Sequence, residues 1–268
     1  MPTNSSKDQF NANAHKYAVS DVHRAGPSLP VLLNFAEPVK DDQLLDVATG
    51  TGHTALTMAP FVARAVGIDL APKMLEQARR LANEQGASNC DFVEGSAEKI
   101  PFEDGLFTLV TARHAPHHFR NVDRFLAEVR RVLAPGGRFV MVDQISPVTE
   151  VAEWVDHWER TRDPSHFKQR TVEQWMAEAV KAGLQWIKHQ FVPYRLEFDW
   201  WVSQAGCDDS AVSALLAHAA RAPQPIRDAL ALEFDGAGRV FAFQEPMLVV
   251  RLEHVSDDGA SSIRRKSV

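Results

Sequence analysis

From Gln43 to Asp143, short apolar runs alternate with amphipathic segments, and this alternation constrains the chain more than any other feature. Leu44 to Val47 reads as a strand that ends in the Gly-rich turn Ala48-Thr49-Gly50-Thr51-Gly52. A helix over 54–61, ended near Pro60, leads to a second strand over 62–69. The next helix, 72–85, has Pro72 at its first position, carries Met74, Ala78 and Leu81 on one face, and is followed by Gly86. Strands follow at 90–94 and 106–111. A helix over 123–133 presents Phe125, Val129 and Val132, stops at Pro135-Gly136-Gly137, and leads to a fifth strand at 138–143. Strands and helices in this order build right-handed βαβ units. The expected fold class is therefore α/β, a doubly wound and mostly parallel sheet covered on both faces.

The second half changes character. Helices are expected at 149–162 and 171–182, the latter opened by the capping box Thr171 to Gln174, and two long β stretches at 185–198 and 239–253. Between those stretches, 200–234 is rich in Ala and Leu and reads as helical. Phe10, Ala14 and Tyr17 fall at helical spacing before the main domain. The expected organisation is an N-terminal helical lid (1–34), one domain over 35–255 with helical cap elements at about 147–170 and 199–236, and a disordered tail over 256–268.

Composition narrows the function classes. With 29 Lys plus Arg against 35 Asp plus Glu, the net charge of −6 argues against nucleic acid as a partner. Two cysteines, Cys90 and Cys207, form no disulfide framework. No apolar run reaches the roughly 18 residues of a membrane span, and the polar N-terminus lacks a secretory h-region, so a cytoplasmic location is expected.

Ligands of an open parallel sheet bind beyond the carboxyl ends of its strands. Three segments belong to that edge. Glycines in the turn from Asp46 to Gly52 allow close approach to a ligand. Asp69, at the end of the second strand, is suited to accept both hydroxyl hydrogens of a ribose. Gly95-Ser96-Ala97-Glu98, after the third, is placed to meet an adenine edge. Together they describe a pocket for an adenosine-containing ligand. The run A-T-G-T-G-H-T departs from the G-x-G-x-x-G spacing of a dinucleotide site, which disfavours an NAD-dependent oxidoreductase, the alternative on such a sheet.

The segments LLDVATGTGHTA, AVGIDLAPKMLEQAR, FVEGSAEKIPFEDGLFTLV, RHAPHHF and FLAEVRRVLAPGGRFVMVD resemble those of class I S-adenosylmethionine-dependent methyltransferases. The resemblance is to the small-molecule group that includes the ubiquinone/menaquinone-biosynthesis C-methyltransferases. It covers about residues 43–143 and is loose over 147–253. It implies a Rossmann-like sheet of seven strands with an antiparallel last strand, and a helical cap inserted between strands six and seven, over the ligand edge. The implied cofactor is S-adenosyl-L-methionine. Asp46, Ala48, Thr49, Gly50 and Gly52 are then expected at its methionine end, Asp69 at the ribose, and Ser96, Ala97 and Glu98 at the adenine, with Leu70 and Met74 as further cofactor-binding residues. Tyr17 would close over it. Ala48 replaces the first glycine of the broad pattern, and Ser96 stands where many relatives carry Asp. A non-catalytic protein that binds the same cofactor is a further alternative, because fold alone does not establish activity.

In methyl transfer the protein aligns an acceptor with an electrophilic methyl and excludes water; a base matters when the nucleophile must lose a proton. His117, in Arg113-His114-Ala115-Pro116-His117-His118, is the first candidate base and His114 the second, while His118 is assigned to structure. Arg113 has the guanidinium fork to hold the cofactor carboxylate, or equally to pair with an acidic surface residue. Asp163-Pro164-Ser165-His166 ranks below His117 as an acid/base source. H-x-x-H-H with Asp143 matches no common metal spacing, so no metal is expected. Trp154, Trp158, Trp200 and Trp201 fall in the two cap segments; most are assigned to the cap's own packing, one or two to the pocket. The expected acceptor is a small, apolar or aromatic molecule, with a homodimer as a possible assembly.

Overall fold

The computed structural model describes residues 6–254, so the expectation of a disordered tail over 256–268 lies outside the described residues. Three helices open the chain, α1 (Ser6–Val19), α2 (Asp21–Ala25) and α3 (Ser28–Ala36), where the sequence indicated one short helix around Tyr17. The alternating half follows as β1 (Gln43–Val47), α4 (His53–Met58), β2 (Arg64–Asp69), α5 (Pro72–Gln85), β3 (Cys90–Glu94), β4 (Phe107–Arg113), α6 (Val122–Val132) and β5 (Leu133–Gln144). Then come α7 (Thr149–Arg162), α8 (Val172–Lys181), β6 (Leu184–Glu197), α9 (Phe198–Ala205), α10 (Asp209–Ala220), α11 (Gln224–Ala229), β7 (Glu233–Phe234) and β8 (Val240–His254).

The sheet order is β3-β2-β1-β4-β5-β8-β6, with β7 added against β8. β1 to β5 are parallel, and β8 is antiparallel to both β5 and β6. Strand order reverses at β1, which has β2 on one side and β4 on the other, so the crevice opens beyond the ends of these strands. Successive residues of β1 show why both faces must be covered. Leu44 and Leu45 are both fully buried but belong to separate clusters on opposite faces. β6 runs in the same direction as β5, so it ends at the same edge and the segment from α9 to α11 emerges over the crevice.

Two local expectations are corrected. The fifth strand begins at Leu133, which pairs with Phe107. The Pro135-Gly136-Gly137 stretch is absorbed as an irregularity before Arg138 pairs with Leu109. Pro135 lacks the amide that would extend a helix, and Gly136 takes a left-handed φ of 76°. The stretch 200–234 divides into three helices and the short β7, because Gly206 ends α9 in a left-handed conformation and Asp208 caps α10 through its side chain. The capping box at Thr171 and Gln174 forms as expected. No helix among the described residues is long and apolar enough to cross a membrane.

Candidate functional site

Three cavities with shared walls lie along the carboxyl edge. The outer chamber, of about 570 Å³, is lined by Asp69 and Leu70 at the end of β2, by Gly95, Ser96, Ala97 and Glu98 after β3, and by residues of the 115–120 turn. A middle chamber of about 80 Å³ lies at the switch of strand order, between the β1 turn (Asp46, Ala48, Thr49, Gly50) and Arg113 and His114 of β4, with Met74 and Tyr17 completing it. An inner chamber, also about 80 Å³, is bounded by His114, His117 and His118, the strand ends at Gln144 and Leu196, and Arg162, Asp163, Trp200, Trp201 and Glu245. Phe10 of α1 lines all three.

The β1 turn is held from below. Asp46 is almost fully buried and accepts hydrogen bonds from the Thr49 hydroxyl at 2.6 Å and the Thr111 hydroxyl at 2.7 Å. Burial pushes its pKa up to about 6 against the pull of those bonds. Asp69 accepts from the Gly50 amide at 2.8 Å and the Ala71 amide at 2.9 Å, which ties the turn to the end of β2. Its carboxylate lines both the outer and the middle chamber, and burial raises its pKa. Ser96 accepts from the Glu98 amide at 3.2 Å and so braces its own turn, while Glu98 accepts from the Asn121 amide at 3.0 Å.

Gly52 lines none of the chambers. It has a φ of 83°, and a Cβ there would lie 2.9 Å from the Phe92 ring and 3.0 Å from the Ala78 methyl. Packing of the turn onto α5 and β3 thus requires this glycine. Gly67 on β2, which the sequence did not single out, has the same role, since a Cβ there would meet the Thr49 side chain at 2.7 Å. Gly52→Ala is expected to lower stability by about 2–4 kcal/mol through overpacking and a strained φ, seen as a drop of several degrees or more in Tm; an unchanged Tm would refute that packing argument.

Arg113 is buried at the end of β4. Its Nε donates to the Thr54 hydroxyl at 3.1 Å, and Nη2 donates to the His23 carbonyl of α2. Its Nη1 is buried with no hydrogen-bond partner among the described residues. Of the two roles the sequence left open, the surface ion pair is not formed among the described residues. A desolvated guanidinium nitrogen beside the middle chamber is a ready site for a carboxylate.

The histidines differ in their bonding. His117 Nδ1 meets Asp143 Oδ1 at 2.6 Å. His118 Nδ1 meets the Ser165 hydroxyl at 3.2 Å, and that hydroxyl donates to Asp163 at 2.7 Å. His166 uses both nitrogens, on Asp156 at 2.7 Å and Gln144 at 3.3 Å. His114 sits at a φ of 56° with its ring edge-on to Tyr194. Burial lowers the pKa of His114 and His117 well below the usual value, and that of His118 to about 3. Burial also raises Tyr17 to about 12, keeping its hydroxyl protonated. Among the described residues no His, Cys, Asp and Glu group has metal-binding geometry.

Trp158 is packed in the core against Trp201 and Phe243, and Trp154 stacks on His218. Trp200 and Trp201 alone of the four reach a chamber. The N-terminal helices are tied down on both sides of the crevice. Lys7 pairs with Glu94 at 2.7 Å, while Gln9 and Lys16 donate to the Ala205 and Ser203 carbonyls of α9 at 3.2 and 2.9 Å. Phe10, His23, Arg162, Gln144 and Glu245 were missed in the sequence. Each comes from an element remote from the Gly-rich turn, and no local spacing marks it as a site residue.

A family model described as a methyltransferase domain matches residues 45–141. The chain is 33% identical over 237 residues to the uncharacterized methyltransferase YcgJ of Bacillus subtilis (strain 168), covering 87% of this chain and 93% of that protein. Against the crystal structure of YcgJ the TM-score is 0.81, at 31% identity, over 85% of this chain and 98% of the other. A demethylmenaquinone methyltransferase of Thermus thermophilus is 44% identical over 104 residues, 38% of this chain and 46% of that protein.

Proposed function

The chain belongs to the S-adenosylmethionine-dependent methyltransferases, and from that premise we propose that it binds S-adenosylmethionine across the outer and middle chambers and methylates a small metabolite in the inner one. The convergence of the β1 turn, Asp69 and the Arg113 guanidinium on the adjoining chambers carries this reading, the guanidinium supplying positive charge for a carboxylate at the methionine end of such a ligand. Bound there, the cofactor supplies a methyl group on a positively charged sulfur. Asp69 stands between the two chambers, where its carboxylate accepts from the ribose hydroxyls. The segment from Gly95 to Glu98 offers backbone groups and Ser96 to the adenine.

In the inner chamber, Trp200, Trp201 and Leu196 provide apolar wall for the acceptor, while Gln144, Arg162, Asp163 and Glu245 place polar groups around it. Burial and the neighbouring Glu159 carboxylate raise the Glu245 pKa to about 8. His117 takes the acceptor's proton, and α1 and α2 act as the lid that keeps water out.

Isothermal titration of the protein with S-adenosylhomocysteine and, separately, with NADH tests the cofactor assignment. Saturable binding of the first and none of the second is expected. No heat with S-adenosylhomocysteine, or preference for NADH, would overturn it.

A further inference from the structure

Asp143 ends β5 and is 1% exposed. One of its oxygens receives His117 Nδ1, and the other, Oδ2, is buried without a hydrogen-bond partner among the described residues. An orphaned buried oxygen costs stability, on the order of 1–3 kcal/mol. The Arg170 guanidinium and the nearby histidines are the charges that face this carboxyl group, and of these side chains His117 hydrogen-bonds it.

His117 is fixed independently of that bond. Its carbonyl accepts from the Phe167 and Lys168 amides, both at 3.0 Å, and its ring stacks on His166 at a centroid distance of 5.5 Å. With the ring so placed, Nδ1 faces the Asp143 carboxyl group, which burial raises to about 7; above that pH the carboxylate accepts and Nδ1 carries the proton. Nε2 then keeps its lone pair, and it makes no hydrogen bond among the described residues. None of the neighbouring histidines combines these features. Both His166 nitrogens are occupied, and His118 reaches Asp163 only through Ser165. His117 alone joins a direct carboxylate partner, a free second nitrogen and a place on the inner chamber wall.

We propose that Asp143 is a positioning residue that holds His117 in its Nδ1–H tautomer, and that the acceptor is therefore a molecule whose reacting group loses a proton on methylation, such as a hydroxyl or an amine. An acceptor such as a thioether or tertiary amine would have no use for the pair. In the step, the acceptor forms its new bond to the methyl carbon with its own electron pair and gives its proton to Nε2. The carbon–sulfur pair returns to sulfur, and the proton later leaves to solvent. The inference rests on the inner chamber being the acceptor site.

Two measurements decide it. Nitrogen-15 NMR of histidine-labelled protein, with His117→Asn for assignment, needs no acceptor. The Nδ1–H tautomer is expected at His117, and in Asp143→Asn the new amide donates to Nδ1 and shifts the ring to Nε2–H. An Nε2–H ring in the parent protein, or no change in the variant, overturns the positioning role. Release of S-adenosylhomocysteine is then followed with a panel of small phenols and primary amines beside thioethers and tertiary amines. Turnover of hydroxyl or amine members alone is expected, with kcat falling about 10³–10⁴-fold in Asp143→Asn and S-adenosylhomocysteine affinity unchanged. Failure to methylate any hydroxyl or amine, or thioether turnover that survives Asp143→Asn, overturns the acceptor class. A protein that binds no S-adenosylhomocysteine while showing the expected tautomer would instead defeat the reading of the chambers.

Discussion

Asp69→Ala is expected to raise the Kd for S-adenosylhomocysteine by about 10²–10⁴-fold, the loss of two hydrogen bonds to a charged acceptor at about 1.5–3 kcal/mol each. The fold should persist, because Asp69 and Gly50 are half-buried and face the chambers, where water can replace the carboxylate on the freed amides. Calorimetry measures the affinity, and far-UV circular dichroism with Tm checks the fold. Affinity within a factor of three of the parent would remove Asp69 from the site. The charge itself matters, so Asp69→Asn should fall between the two. Because burial raises the Asp69 pKa, its carboxylate protonates earlier than an exposed aspartate as pH falls, and binding weakens correspondingly sooner.

His117→Ala should abolish most turnover, by about 10²–10⁴-fold in kcat, with S-adenosylhomocysteine affinity near that of the parent. Alanine also leaves Asp143 without its partner, so His117→Asn is the better control. Its amide nitrogen falls where Nδ1 was and keeps a donor on the carboxylate, but no group remains to take a proton. If His117→Asn turns over normally, His117 only supports the 115–118 turn. The direction of the pH dependence follows from burial. The imidazole must be neutral to act, and both desolvation and His166 hold its pKa down, while Asp163 and Asp156 oppose them. Burial raises Asp143 to about 7, so loss of its ionised form, rather than protonation of the imidazole, sets the acid limit, and activity should fall as pH drops through about 7.

The half of the molecule from Gln43 to Asp143 was legible because its signals are local. The apolar runs, Pro72 at the start of a helix, Gly86 past its end and the Gly-rich turn each speak for the backbone within a few residues. Asp69 and the Gly95–Glu98 segment followed from sheet topology, and the structure brings them to one cavity. Gly52 shows the limit of such reasoning. A glycine in a ligand-binding turn suggests ligand contact, but its constraint comes from Phe92, forty residues away. The partner of His117 was hidden for the same reason. Asp143 was visible in the sequence only as one more residue of a metal-like set, and it meets the imidazole because β4 and β5 are neighbours in register. Glu245 and Leu196 lie on strands whose ends converge only after β8 inserts between β5 and β6. No spacing within the chain encodes that convergence.

Phe10 borders every compartment of the crevice. Donor and acceptor preference are therefore not separable at that ring: trimming it to admit a bulkier substrate would also loosen the wall around the nucleoside. Engineering for a different acceptor has independent handles at residues such as Leu196, Trp200 and Glu245, which line the far compartment and neither of the other two.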